Sequence, residues 1–118
     1  MSDCLFCRMV AGEVPADVVH QTDRVLAFRD INPQAPTHVL VIPKEHHPTA
    51  VELAAADPDL LAQVVSAAHD VARQEGLVTD GSEPGYRLVT NTGPQAGQSV
   101  FHVHFHVLGG RRMNWPPG

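Results

Sequence analysis

Three of the chain's eight histidines stand at every second position in the run Gly97-Gln98-Ser99-Val100-Phe101-His102-Val103-His104-Phe105-His106-Val107-Leu108-Gly109-Gly110. A β-strand repeats every two residues, so this spacing predicts a strand with His102, His104 and His106 on one face. Val103, Phe105 and Val107 share the other face, where they can enter a core. The apolar members favour strands, and Gly109-Gly110 end the run. A lone histidine in a strand is usually structural. Three in strict alternation, behind a Gly/Ser/Gln loop, call for a chemical reading. Two kinds of chemistry suit such a row. The imidazoles can ligate a metal ion. Alternatively, one neutral ring nitrogen attacks phosphorus and forms a covalent phosphohistidine, dividing one hard displacement into two easier ones. The other nitrogen of that ring then needs a fixed partner to set its tautomer.

The chain around this run has 118 residues, a natural size for one domain spanning residues 1–118. A hydrophobic fraction of 43% is ordinary for a globular protein. No apolar run approaches the roughly 20 residues of a membrane span. The N-terminus lacks a basic patch followed by an apolar stretch, so the expected location is the cytoplasm, with no membrane partner. A net charge of −5 argues against general nucleic-acid binding, which needs a basic face. A small nucleotide is still open to it, because a few local groups suffice. The chain has neither a G-x-G-x-x-G nor a P-loop sequence, so phosphate contacts must come from elsewhere.

The elements that must position the histidines can be read in order. Cys4 and Cys7 form a C-x-x-C, and Leu5, Phe6, Met9 and Val10 are spaced for a short helix with one apolar face. A thioredoxin-like redox motif should follow a strand and open a longer helix, which this one does not. Two thiols without a role, or half of a structural zinc site, are the other readings. His46 and His102 are candidates for the two missing ligands. Residues 18–21 and 25–29 flank Thr22-Asp23-Arg24 and predict a β-hairpin. His20 reads as an exposed strand residue. Asp30 follows directly, with a carboxylate able to accept two hydrogen bonds from vicinal ribose hydroxyls. Alone, it would more often form a turn.

Residues 32–37 contain two prolines and predict a loop. His38-Val39-Leu40-Val41-Ile42 is a continuous apolar run, expected to be a central strand that Pro43 ends. His46 and His47 follow on the tip. Asp57-Pro58 opens one long helix, with Asp as N-cap and Pro in the first helical position. Leu60, Leu61, Val64, Val65, Ala68, Val71 and Ala72 make its apolar stripe, and Gly76 its C-cap. His69, near the edge of the stripe, receives no chemical role. Residues 79–85 are turn-rich, and residues 86–91 predict another strand. The loop at 92–99 feeds the histidine run, and its backbone N–H groups can face an anion. Together these elements give an α+β fold, mostly antiparallel.

The run His102-Val103-His104-Phe105-His106-Val107-Leu108 resembles the His-x-His-x-His-x-x signature of the histidine triad (HIT) family. Asp30-Ile31-Asn32-Pro33-Gln34-Ala35-Pro36-Thr37-His38, Val41-Ile42-Pro43-Lys44-Glu45-His46 and the Trp115-Pro116-Pro117-Gly118 ending resemble its Hint branch, the nucleoside phosphoramidate hydrolases. The likeness covers nearly the whole chain. It implies an antiparallel sheet of about five strands with one long helix and a short N-terminal helix, the sheet extending across a homodimer. The long helix would also serve the dimer contact.

The implied substrate is a purine nucleoside 5′-monophosphate, AMP or GMP, joined through phosphorus to an amine or other leaving group. By resemblance, His104 attacks the α-phosphorus and water then releases the nucleotide from nucleotidyl-His104. His106 contacts the phosphate oxygens, Ser99 donates its hydroxyl to the leaving atom, and His102 and His46 support the arrangement. Gly97, Gln98, Ser99, Val100 and Asn91 are expected around phosphate and sugar, and Asp30 at the ribose. Leu5, Phe6, Met9, Phe28 and Ile31 form the apolar wall for the base. Arg29 and Asn114 stand where Hint relatives often have histidine, so base and leaving-group preferences stay open. The C-terminal tail belongs near a partner subunit's site, where Trp115 would act in trans on specificity.

The chemistry itself requires no cofactor. Some HIT relatives carry zinc on the set matching Cys4, Cys7, His46 and His102, and others lack the cysteines, so the resemblance permits a structural zinc without requiring it. Two other classes of function remain beside this one: a metal-dependent hydrolase with all three histidines on one ion, and a nucleotide-binding regulatory module without turnover.

Overall fold

The segments at residues 25–29 and 37–43 are apolar on both sides, as central strands covered on both faces must be. The computed structural model describes residues 3–79 and 84–118. It contains α1 (Leu5–Val10), β1 (Val18–Gln21), β2 (Val25–Arg29), β3 (Thr37–Pro43), α2 (Ala50–Ala56), α3 (Pro58–Gln74), β4 (Tyr86–Thr90) and β5 (Phe105–Gly109). A 3₁₀ turn covers Pro94–Ala96. The five strands form one antiparallel sheet in the order β1-β2-β3-β5-β4, with the expected hairpin at one edge. The four residues 80–83, within the expected turn at 79–85, lie outside the described residues.

Strand alternation sorts the apolar residues into two cores. Val25, Ala27, Val39, Val41, Val103, Phe105 and Val107 face α3, meeting Leu60, Val64, Ala68 and Val71. Leu26, Phe28, Leu40 and Ile42 point the other way and are covered by Phe6 of α1. His38 lies two residues before Leu40, and His106 pairs with Leu40 across the β3–β5 ladder. Both imidazoles therefore emerge on the α1 face.

The ends of α3 follow from its sequence. Asp57 accepts from the Leu60 N–H at 3.1 Å and from the Arg24 guanidinium at 2.6 Å. At the far end the Gly76 N–H bonds the Arg73 carbonyl and the Leu77 N–H bonds the Ala72 carbonyl. This is a Schellman motif, with Gly76 at φ +78° one position beyond the cap residue Glu75.

Three expectations are corrected. The histidine run is not all strand: β5 begins at Phe105, so only His106 of the three lies in it. The preceding residues bond outside the ladder, Val103 N–H to the His47 carbonyl and the Thr90 hydroxyl to the His104 carbonyl. The backbone stays extended enough that Val103, Phe105 and Val107 still share the core face. Secondly, α2 stands beside the two helices anticipated. Its signal is the N-cap spacing of Thr49 and Glu52, where Thr49 accepts from the Val51 N–H and donates to the Glu52 carboxylate. Thirdly, His20 is half-buried rather than exposed, with its Nε2 out of contact with water.

Candidate active site and metal cluster

Two groups of side chains meet where β5 begins. The first is the cluster of Cys4, Cys7, His46 and His102, whose ligand atoms all lie within 4.8 Å of one another. The His102 Nε2–H donates to the Pro43 carbonyl at 2.8 Å, which leaves the Nδ1 lone pair facing the cluster. That nitrogen stands 3.4 Å from Cys4 Sγ, 3.5 Å from Cys7 Sγ and 3.2 Å from His46 Nδ1. Cys7 Sγ and His46 Nδ1 are 3.3 Å apart. A zinc tetrahedron with ordinary Zn–S and Zn–N bonds has edges of about 3.3 Å between nitrogens and about 3.5 Å between nitrogen and sulfur. The four residues fit that ion, and the carbonyl behind His102 is the outer partner a ligating imidazole requires. Burial pushes His102 down to about 4, so its ring is neutral at pH 7.

The second group is a chain of histidines whose tautomers can be deduced. The Gln34 N–H donates to His38 Nδ1 at 3.0 Å, so neutral His38 carries its proton on Nε2. That Nε2–H faces His106 Nδ1 at 2.9 Å, with an Asp30 carboxylate oxygen 3.5 Å away. His106 Nδ1 is therefore an acceptor, and neutral His106 carries its proton on Nε2. This Nε2–H is buried and has no partner among the described residues. Burial, reinforced by the neighbouring His104 and His38 and opposed by Asp30, pushes His106 down to about 4. Burial also lowers His38, with Asp30 opposing.

His104 sits between the two groups. Its Nδ1 is 2.9 Å from the His102 carbonyl, an acceptor only, so Nδ1 holds the proton and Nε2 keeps its lone pair. Its ring packs beside His106, at 5.1 Å between centroids, and edge-on against Phe6 at 5.2 Å. Phe6 is also in the wall of an apolar cavity of about 250 Å³, with Leu5, Met9, Phe28 and Ile31, the wall anticipated for the base. Ile31 is 99% exposed, at the rim. Asp30 lines the same cavity, and its second oxygen accepts from the Asn32 N–H.

The loop before the triad is only partly as expected. The Gly97 N–H bonds the Pro94 carbonyl and the Gln98 N–H bonds the Gly93 carbonyl, so neither is free to face an anion. The Gln98 side chain is buried and holds the loop together through Gly93, Pro48 and Val100. The tight turn around Pro94 absorbs these donors. Among the described residues none accepts from the Ser99 or Val100 N–H. These two line a second concavity with Cys4 and Leu5, and Leu5 joins it to the apolar one. Asn91 directly follows Thr90, whose hydroxyl holds the His104 carbonyl. Trp115 is 82% exposed and lines neither cavity.

Sequence reasoning gave no role to two residues that the geometry brings in. His38 was read as part of an apolar strand, although a polar residue buried within such a run was itself the signal. Glu75 had no signal: it grips Arg29, a residue in the cavity wall, from 46 positions away.

A family model described as HIT domain matches residues 11–113. The chain belongs to the HIT family. The crystal structure of a HIT family hydrolase from Legionella pneumophila superimposes with a TM-score of 0.90 at 52% identity, covering 98% of this chain and 100% of the other. A 14 kDa zinc-binding protein of Zea mays is 49% identical, over 99% of this chain and 89% of its own length. The purine nucleoside phosphoramidase of Escherichia coli K12 is 44% identical, over 94% of this chain and 90% of its own. In this HIT chain the three histidines of the signature do not converge on one point. His102 turns its ring toward Cys4, Cys7 and His46, His106 faces His38, and His104 presents a lone pair.

Proposed function

We propose that the protein is a hydrolase that splits the phosphorus–nitrogen bond of purine nucleoside 5′-phosphoramidates through a nucleotidyl-His104 intermediate. One observation carries this reading: the His102 carbonyl holds the proton of His104 on Nδ1, turning Nε2 toward the side of an apolar cavity edged by a carboxylate. The base lies against Leu5, Phe6, Met9, Phe28 and Ile31, and the ribose hydroxyls donate to Asp30.

His104 Nε2 forms a bond to the α-phosphorus as the phosphorus–nitrogen bond breaks. The departing nitrogen takes the Ser99 hydroxyl proton and leaves as a neutral amine. General acid assistance of this kind contributes about 10²–10⁴-fold. The ring of His104 becomes cationic, and its Nδ1–H bond to the His102 carbonyl strengthens as charge develops. The unpartnered Nε2–H of His106 and the Ser99 and Val100 N–H groups receive the phosphoryl oxygens, the preorganised donors that transition-state charge requires. Water then attacks phosphorus, returns a proton to Ser99 and releases His104 and the nucleoside 5′-monophosphate.

Cys4, Cys7, His46 and His102 hold a structural zinc in this reading, supported by the tetrahedral spacing of their ligand atoms and by the likeness to the zinc-binding protein of maize. When bound, the ion cross-links α1 to the chain on either side of His46 and His102. A second copy pairs along β4, which lies at the edge of the sheet, and the exposed Trp115 reaches toward that copy.

The deciding experiment incubates wild type and His104→Ala with an adenosine 5′-phosphoramidate and looks for AMP and for a mass adduct of one nucleotidyl group. Turnover and an adduct are expected in wild type only, and imidazole is expected to restore turnover to His104→Gly. Equal turnover in wild type and His104→Ala would overturn the mechanism. Binding of AMP without any turnover would leave the protein a nucleotide-binding module.

A further inference from the structure

Arg29 lines the apolar cavity, yet its guanidinium is held by a residue outside it. Nη1 and Nη2 donate to the two Glu75 carboxylate oxygens at 2.9 and 3.1 Å. Both ends of this bidentate pair are anchored. Arg29 closes β2, paired with Val39 on one side and bonded through its N–H to the Asp17 carbonyl on the other. Glu75 caps α3 just before the Schellman turn, and its side chain is only 15% exposed. A planar fork matched to a carboxylate in this way is geometrically committed.

The consequence concerns how a base in the cavity is read. Guanine presents O6 and N7 as two adjacent acceptors, which an arginine fork matches, whereas adenine replaces O6 with an amino donor. Arg29 is the cavity residue equipped to tell them apart, and Glu75 occupies its fork. The other charged side chains of the wall, Asp17 and Asp30, are carboxylates and have no donor to offer O6 and N7. Asp30 is engaged by the Asn32 N–H and stands by His38, and Asp17 is 74% exposed with Arg29 Nε 3.9 Å away.

We propose that Glu75 sets the base selectivity of this site by withholding the Arg29 fork, so that adenine and guanine are accepted alike through apolar contact. Glu75 is thus a positioning residue that acts through Arg29. The proposal rests on the purine-nucleotide reading of the cavity.

Calorimetric titration of the purified protein with AMP and with GMP tests it. Wild type is expected to bind the two within about threefold of each other. Glu75→Ala is expected to favour GMP by about tenfold, within the roughly 5–150-fold that a bidentate arginine–guanine contact provides. Glu75→Gln, which keeps one acceptor without the charge, should shift the ratio in the same direction by a smaller factor. Arg29→Met, and Arg29→Met combined with Glu75→Ala, should both return the wild-type ratio. A loss of helix-end order alone would weaken both nucleotides equally and leave their ratio unmoved. That outcome overturns the proposal, as does a wild-type preference above about tenfold or a changed ratio in Arg29→Met alone. Failure of wild type to bind either nucleotide removes the nucleotide reading itself and this proposal with it, an outcome separable from an unmoved ratio.

Discussion

His38 Nε2 and His106 Nδ1 are 2.9 Å apart, and the Gln34 N–H on the far side of His38 decides which of them donates. A backbone donor on one strand-end loop thus determines, through two rings, that His106 presents an N–H rather than a lone pair to the space beside His104. His38→Phe keeps a flat ring but removes the donor. It is expected to lower kcat by roughly 10–100-fold, by analogy with the loss of the outer hydrogen-bond partner of a metal-ligating histidine. His106→Ala, which removes the donor to phosphate, should cost about 10²–10³-fold. Imidazole ¹⁵N NMR should show the His106 proton leaving Nε2 in the His38→Phe protein, and an unchanged tautomer would break the argument.

Stability should fall as pH is lowered from about 6.5 toward 4. His106 is held down at about 4 by burial, while in the unfolded chain it takes a proton near 6.5. Between those values the unfolded state binds more protons than the native state, so protonation favours unfolding. His38 is shifted in the same direction. Denaturant titrations across this window should give a shallower pH slope for His106→Gln than for wild type. Identical slopes would mean that His106 is not buried as a neutral ring.

Metal analysis should find about one zinc per chain. Stripping it with a strong chelator should lower Tm by roughly 10 °C or more, because the ion binds the folded state and not the extended chain. Below the new Tm, phosphoramidate turnover should persist. Complete loss of turnover at a temperature where the stripped protein is still folded would instead support a hydrolase that uses the ion in its chemistry.

Leu60 is fully buried between α3 and the sheet, on the face away from His104. Leu60→Ala should cost about 2–5 kcal/mol of stability. Its kcat at a temperature where it is folded should stay within about twofold of wild type, since no group that touches substrate moves. A large fall in kcat without a fall in Tm would show that the two faces of the sheet are not independent.

The sheet was legible because its strands carry strong, simple patterns: the alternation at residues 103–107 and the unbroken apolar run at residues 39–42. The caps of α3 were equally plain at Asp57, Pro58 and Gly76. What escaped were features that depend on partners far away in the chain. Nothing local to His102 and His104 says that the ladder starts only at Phe105, because the competing bonds come from His47 and Thr90. Gln98 looked available to an anion until the turn around Pro94 took its N–H. Short α2 was masked by its alanines, with only the Thr49–Glu52 spacing to mark it. His38 was hidden by its apolar neighbours, and the Arg29–Glu75 pair joins a strand to a helix end that sequence alone does not bring together.

His102 serves His104 through its main-chain oxygen and the cysteine cluster through its ring. A substitution at this position alters the second task and leaves the first in place, since every amino acid supplies the same carbonyl. Aim of the attacking nitrogen is therefore insulated from drift at residue 102. A lineage could lose both thiols and the ligating imidazole, trading a cross-linked amino terminus for a looser one, and still inherit a correctly pointed His104.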